Sequence, residues 1–263
     1  MRALLLAAGF GTRLRPLTNT IPKCLVPIHG RPLLDYWLES LLDHGVDSVL
    51  INTHYMAPMV QKYLCLSSWK SRVTIVHEES LLGTGGTILQ NRRFFQEEPF
   101  LVAHADNLTI FDVHEFSHCH AERRSDTEIT MMVFKTDTPQ SCGIVELDKG
   151  GVVQVFYEKI ANPPSNLANA AVYIFEPDVV AWMGSLDKME VDLSTEVIPH
   201  YIGRINTYHN MQYHRDIGTI ESWQEANRDF PKPVVVAPEN IRAWDAVIRE
   251  SKILLQQYLE ARC

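Results

Sequence analysis

A chain of 263 residues with 46% apolar side chains is long enough to bury a large core and a recessed site. Its formal net charge of −8 excludes a surface built for nucleic acid, whose binders carry a basic face, so an anionic ligand has to meet cations placed locally. No apolar run has the length a bilayer demands and no basic, apolar leader follows Met1, so a cytoplasmic protein without membrane contact is expected.

The first apolar run, residues 3–7, reads as a buried strand and leads into "LLLAAGFGTRLRPLTNTIPKCLVPI" (4–28). Gly9 and Gly11, followed by Thr12, Arg13 and Arg15, would let backbone N–H groups approach an anion closely while the arginines supply charge. The spacing is neither the G-x-G-x-x-G of dinucleotide sites nor the G-x-x-x-x-G-K-[ST] of P-loops. Leu33, Leu34, Trp37, Leu38, Leu41 and Leu42 then recur at helical spacing. A second strand follows at 48–52, a second helical stripe at Met56, Met59, Val60, Tyr63 and Leu64, and further strands at 73–77 and 100–103. Buried strands alternating with helices predict a parallel arrangement and an α/β, Rossmann-like three-layer αβα fold.

Beyond residue 125 the pattern changes. Strands are expected at 129–134, 144–147, 152–157 and 171–175, the middle two joined by the turn "DKGG" (148–151), so the central sheet should be mixed. The organisation predicted is one domain over 1–230, with halves of about 1–125 and 126–230, then a proline-punctuated linker and an amphipathic C-terminal helix over 231–263. Trp244, Val247, Ile248, Ser251, Leu254, Leu255, Tyr258 and Leu259 form that helix's stripe, a face for its own domain or for self-association as a homodimer. No hexapeptide repeat follows the first domain, so a fused acetyl-transferring β-helix is not expected. The five cysteines are scattered and never paired as C-x-x-C, which predicts neither a disulfide framework nor a zinc cluster.

Six stretches in order, the opening loop, "EESLLGTGGTI" (78–88), "AHADN" (103–107), "CGIVELD" (142–148), "YEKIANPPSNLANAAVYIFEP" (157–177) and "RDIGTIESWQEAN" (215–227), resemble the blocks of the sugar-phosphate nucleotidylyltransferases. The departures are Ala8 where glycine is common and Ala105 before the aspartate of the third block. The resemblance implies an enzyme that joins a sugar 1-phosphate to a nucleoside triphosphate, releasing pyrophosphate. It places Leu6, Ala8, Gly9, Gly11, Thr12, Arg13, Lys23, Glu78 and Gly83 on the nucleotide. Gly143, Glu158, Lys159 and Asn169 fall on the sugar phosphate, and Asp106 and Asp216 on Mg2+; Arg13, Lys23, Asp106 and Asp216 form the catalytic set. Such chemistry suits the residue types: a phosphate monoester is mostly ionised at neutral pH and needs no general base, so cations, alignment and oxygen-bound magnesium carry the reaction.

Glu78 is an acceptor, as the N1–H and N2–H₂ donors of guanine require, and "LGTGG" looks most like the guanylyltransferases of mannose and heptose 1-phosphates. Uridylyl or cytidylyl transfer, to another sugar or to a small phosphoester, stays open, as does a regulatory relative without turnover.

Overall fold

Leucines 33, 34, 38, 41 and 42 with Trp37 are buried along the helix Leu33–Leu42, the stripe that the sequence spacing predicts. The computed structural model describes residues 1–231 and 236–248. The described chain divides into two compact units that interleave along the sequence. A bulged-sheet unit holds Met1–Leu4, Ser80–His104 and Ile110–His214, and a glycine-loop unit holds Leu5–Glu79, Ala105–Thr109 and the chain from Arg215.

In the glycine-loop unit residues 5–6 of the first strand are followed in the strand order by Val49–Thr53 and Val73–His77. The last two run parallel in register from Val49 opposite Val73 to Thr53 opposite His77. Val49–Thr53 is buried at all five positions, whereas Val73–His77 alternates between half-buried and exposed. The expectation that 73–77 is fully buried is therefore corrected: it is the last strand in the order, with one neighbouring strand among the described residues. The second helix is Ala57–Leu66, with Val60, Tyr63 and Leu64 buried. Met56, expected on its stripe, instead precedes it in a left-handed conformation, φ 51°. Pro58 sets the start, because proline fits the first helical turn, where no N–H partner is needed.

The helix Pro238–Ile248 belongs to the same unit and packs on Ala57–Leu66, burying Trp244, Val247 and Ile248. Asn240 pins it: its Nδ2 donates to Asp35 Oδ1 at 2.9 Å and its Oδ1 accepts from Ser68 N at 2.8 Å. Asp35 is fully buried and balanced by Arg31, whose Nε lies 2.6 Å away, as a buried carboxylate requires. The start of the predicted tail stripe thus packs on its own unit; Ser251, Leu254, Leu255, Tyr258 and Leu259, and linker residues 232–235, lie outside the described residues.

The bulged-sheet unit has the order Val153–Glu158, Gly143–Leu147, Leu167–Phe175, Phe100–His104 and then residues 2–4, with Ile129–Lys135 also paired to Leu167–Phe175. Most pairs are antiparallel, while Ile205–His209 runs parallel to Ile129–Lys135, giving the mixed strand directions expected. The turn "DKGG" closes the hairpin through Asp148 Oδ1, which accepts from Gly150 N at 2.8 Å and Val152 N at 3.0 Å. Leu167–Phe175 begins four residues before the predicted strand: across a bulge between Asn169 and Tyr173 it stays paired with Ile129–Lys135, and along its other edge it meets Gly143–Leu147 at Ala168 and Phe100–His104 from Val172. Among the described residues no helix is long and apolar enough to cross a membrane.

Candidate active site

The segment after Leu6 is held by apolar anchors rather than by regular structure. Leu14, Leu17, Ile21 and Leu25 are fully buried, and between them the chain makes three single turns of 3-10 helix, Thr12–Leu14, Leu17–Asn19 and Lys23–Leu25. Gly11 is required at the first turn. It has φ 63°, and a Cβ there would lie 2.9 Å from Thr18 Cγ2 and 3.0 Å from Lys23 Cβ. Thr18 closes the loop by donating from Oγ1 to Gly11 O at 2.7 Å, and Tyr55 OH donates to Thr18 O at 2.7 Å. Gly9, Thr12, Arg13 and Arg15 are exposed on this frame, Leu6 and Gly11 are half-buried, and Ala8 is buried.

Lys23 is buried, yet its ammonium meets two carboxylates remote in sequence. Nζ donates to Asp106 Oδ2 at 2.7 Å and to Asp216 Oδ1 at 3.4 Å. Arg13 reaches the other oxygen of Asp216, Nη2 to Oδ2, at 3.7 Å. Backbone bonds explain why these positions converge. Ala105 N donates to Leu6 O at 3.0 Å and Ile217 N to Asp106 O at 3.1 Å, so the two aspartate segments are stitched to the end of the first strand and to each other. Trp37 supports the same turn, its Nε1 donating to Asn107 O at 2.7 Å. Gly218 leaves room for the cluster, since a Cβ there would stand 2.6 Å from Asp216 Oδ2 and 3.2 Å from Arg13 Nη2. Next to Lys23, burial pushes the Cys24 thiol up to about 12, with the Asp106 charge adding to the rise, so this cysteine is a packed apolar group rather than a nucleophile.

Glu78 lies in the same unit and is buried. Its backbone N donates to Thr53 O at 2.9 Å, its carbonyl accepts from His54 Nδ1 at 2.8 Å, and its Oε1 accepts from Asn52 Nδ2 at 3.0 Å. Asn52 also accepts, through Oδ1, from Ala7 N at 2.7 Å. Phe10, exposed at the loop tip, packs edge-on to the His54 ring, with centroids 5.3 Å apart. Asn52, His54 and Phe10 are absent from the sequence-derived set. One signal was available, an amide closing the apolar run "VLIN" (49–52), although its partners at 7 and 78 are not readable from spacing.

The remaining predicted residues belong to the bulged-sheet unit. Gly143 pairs with Glu158 across the hairpin, and a Cβ on Gly143 would stand 2.6 Å from Phe156 Cζ and 3.0 Å from Glu158 Oε2. Lys159 has φ 50°, and its Nζ lies 2.8 Å from Glu158 Oε1. Ala168 pairs with Ile144, which carries Asn169 alongside Gly143. Asn169 spans the bulge, donating from Nδ2 to Tyr173 OH at 2.7 Å and accepting from Ala171 N at 2.9 Å. Burial pushes the Tyr173 phenol above its ordinary range, and the charges of Glu158 and Asp192 add to this. Gly83 opens the helix Gly83–Gln90 at φ 71° against Val191, whose carbonyl accepts from Gly85 N at 2.8 Å and Gly86 N at 3.1 Å. Thr84 Oγ1 accepts from Leu193 N at 2.7 Å and donates to Asp192 Oδ2 at 3.3 Å, a clamp the sequence reading did not include.

Lys23 and Arg13 can neutralise a polyphosphate, and Asp106 and Asp216 can hold a hard cation. The oxygens of Asp106 and Asp216 already converge on one positive centre. Among the described residues no group of three or more His, Cys, Asp or Glu side chains could hold a metal. Two carboxylates with no further protein ligand fit magnesium, which completes its shell with water and substrate phosphates.

The model of a family described as nucleotidyl transferase matches residues 2–232. The mannose-1-phosphate guanylyltransferase catalytic subunit beta of Drosophila melanogaster is 35% identical over 205 residues, 75% of this chain and 53% of that protein. The UTP–glucose-1-phosphate uridylyltransferase of Synechocystis sp. is 29% identical over 245 residues, 87% of this chain and 63% of that protein. This chain therefore spans between about half and two-thirds of these relatives. In fold it is similar to HddC from Yersinia pseudotuberculosis, solved in complex with GMP-PN, with a TM-score of 0.74 at 24% identity, covering 88% of this chain and 99% of that one.

Proposed function

This chain belongs to the nucleotidyl transferase family, within which it fits the sugar-phosphate nucleotidylyltransferases, and from that premise we propose that it joins a sugar 1-phosphate to a nucleoside triphosphate. An oxygen of the sugar phosphate attacks the α-phosphorus, the α–β bridging bond breaks, and pyrophosphate leaves with the electron pair. The attacking phosphate has a second pKa near 6 and is already mostly ionised at neutral pH, so no side chain has to remove a proton. The obstacle is the mutual repulsion of two polyanions and the charge that gathers on the departing pyrophosphate, which positioned cations offset.

The single observation that carries this reading is the convergence of Lys23 with Asp106 and Asp216, 83 and 193 residues away, on one point. Lys23 and Arg13 bind the triphosphate and stabilise the leaving group. Asp106 and Asp216 would hold Mg2+, which when bound would supply further neutralisation of phosphate charge. Backbone groups from Leu6 to Thr12 frame the phosphates. Lys159 pairs with the sugar phosphate, while Glu158, Asn169 and the backbone of Gly143 meet sugar hydroxyls. Glu78, with Gly83, reads the base; a fixed acceptor favours guanine, and relatives named as mannose-1-phosphate guanylyltransferases support a mannose- or heptose-type acceptor. The uridylyltransferase relative supports a second reading, with UTP.

The same reading takes the protein as cytoplasmic, with self-association as a homodimer the alternative to a single copy. Pyrophosphate release is measured with four nucleotides against a panel of sugar 1-phosphates, with and without magnesium. Turnover with GTP and mannose or heptose 1-phosphate is expected. Turnover with UTP alone would move the reading to uridylyl transfer, and silence across the panel would leave a regulatory relative without catalysis.

A further inference from the structure

We propose that Asn52 is a positioning residue that sets nucleobase preference by aiming the Glu78 carboxylate and tying it to the start of the glycine loop. The proposal rests on Glu78 as the base reader and adds the device that makes it selective.

An amide in a strand buried at all five positions is costly unless both its ends are bonded. Here both are, and the order of the bonds is forced. Ala7 offers an N–H, so the Asn52 atom 2.7 Å from it has to be the oxygen. The nitrogen is then committed to Glu78 Oε1 at 3.0 Å, which leaves no ambiguity in the amide's orientation. One planar group thereby fixes two things. It anchors the residue at which the first strand gives way to the loop carrying Ala8, Gly9 and Gly11, and it orients the carboxylate at the end of the neighbouring strand.

Glu78 is held at its backbone too, N to Thr53 O at 2.9 Å and O to His54 Nδ1 at 2.8 Å, so the side chain's remaining freedom is rotation about its own bonds. Asn52 removes it. A carboxylate locked in one plane matches two adjacent donors, as guanine presents with N1–H and N2–H₂. Adenine and cytosine offer one donor beside an acceptor, and uracil one donor between two acceptors. A swivelling carboxylate would satisfy any of these with a single bond and discriminate poorly.

Asn52→Asp separates the two functions of the amide. The variant keeps an acceptor for Ala7 N–H at nearly the same volume, and replaces the donor facing Glu78 with an acceptor. Two carboxylates at that distance form a hydrogen bond only when they share a proton. At pH 8.5 the preference for GTP over the other nucleotides, as a ratio of kcat/KM, is expected to fall about tenfold to a hundredfold, the range for losing a bond to a charged group. The loss should fall on KM for GTP rather than on kcat. Lowering the pH to 6 restores the preference in this variant, while the unmodified protein shows no such recovery; a merely structural role would not produce a base preference that titrates.

Asn52→Ser, too short to span both partners, is expected to lose the preference at every pH, and it decides the matter if Asn52→Asp does not fold at pH 8.5. Unaltered preference in folded Asn52→Asp at pH 8.5, or in Asn52→Ser, overturns the proposal. Glu78→Gln keeps the two failures apart. If that variant selects bases as before, the base-reading role of Glu78 fails and this inference with it. If it loses selectivity and the Asn52 variants do not, only the coupling through Asn52 is wrong.

Discussion

The cation of the glycine-loop unit and the cation of the bulged-sheet unit are built in opposite ways. The side chain of Lys23 is 9% exposed and meets two carboxylates far away in sequence, whereas that of Lys159 is 63% exposed and its ion pair is with its own neighbour, Glu158. A buried, multiply bonded charge is preorganised and expensive to disturb. An exposed one keeps most of its hydration and can follow ligands of different shape. On the proposed reading, the first handles the invariant part of the reaction, the phosphorus centre, and the second the variable part, the sugar.

The largest effect should come from breaking the preorganised cluster. Lys23→Met or Asp106→Asn is expected to cut turnover about a thousandfold or more, the scale for removing a positioned charge in phosphoryl transfer, and Asp216→Asn to act similarly. Far-ultraviolet circular dichroism should show the fold retained. A folded variant with near-normal magnesium-dependent pyrophosphate release would erase the contrast between the two cations and the metal assignment with it.

A second effect separates the units by pH. His120 in the bulged-sheet unit is buried between Thr130 and Glu176, and burial, helped by the nearby Arg123 charge, pushes its pKa down to about 3. The unfolded chain titrates at its ordinary value of 6.5, so between these pH values the unfolded state binds the extra proton. The associated stability is complete above pH 6.5 and is lost as the pH falls towards 3, on the order of 5 kcal/mol. Urea titrations at pH 7 and pH 4.5 should show the loss, and His120→Gln should flatten it. An unchanged pH slope in that variant would assign the acid sensitivity elsewhere.

The frame beneath Lys23 is the third target. Gly11→Ala forces a side chain into φ 63° and against Thr18 and Lys23, a cost of about 2 kcal/mol, which for a chain of this size lowers Tm by roughly 4–8 °C. Gly9→Ala, where nothing lies within 4 Å of the added Cβ, should leave Tm nearly unchanged. Equal melting temperatures for the two variants would mean that the loop adapts and is not a rigid frame.

Those contrasts also explain what could be read in the sequence. That Gly11, Lys23, Asp106 and Asp216 lie together was legible because each sits in an ordered motif, and the helix Leu33–Leu42 because its periodicity is local. Asn52 was not singled out: its role is the satisfaction of a buried amide by partners 45 and 26 residues away. The early start of Leu167–Phe175 was hidden by "LANA", small residues whose strand character comes from the neighbours on either side of the bulge. Val73–His77 has the composition of a buried strand, and only its place in the sheet order exposes it.

The smallest effect expected is at Lys159, and it tests the exposed side of the comparison directly. Its backbone is left-handed, φ 50°, a conformation that costs a non-glycine residue energy and is retained where the surrounding chain imposes it; here the N–H of Lys159 donates to Cys142 O at 3.3 Å, beside Gly143. The side chain, by contrast, is largely in water. Lys159→Gln leaves the backbone as it is and removes only the charge, so the loss is that of one solvent-screened ion pair to a phosphate, about tenfold. It should appear as a raised KM for the sugar 1-phosphate, with KM for the nucleotide unmoved and kcat changed by less than about threefold, because binding weakens equally in the ground and transition states. Lys159→Arg should recover part of it. A thousandfold fall in kcat, matching Lys23→Met, would show that exposure is a poor guide to which charge the reaction depends on, and that Lys159 acts on the transition state after all.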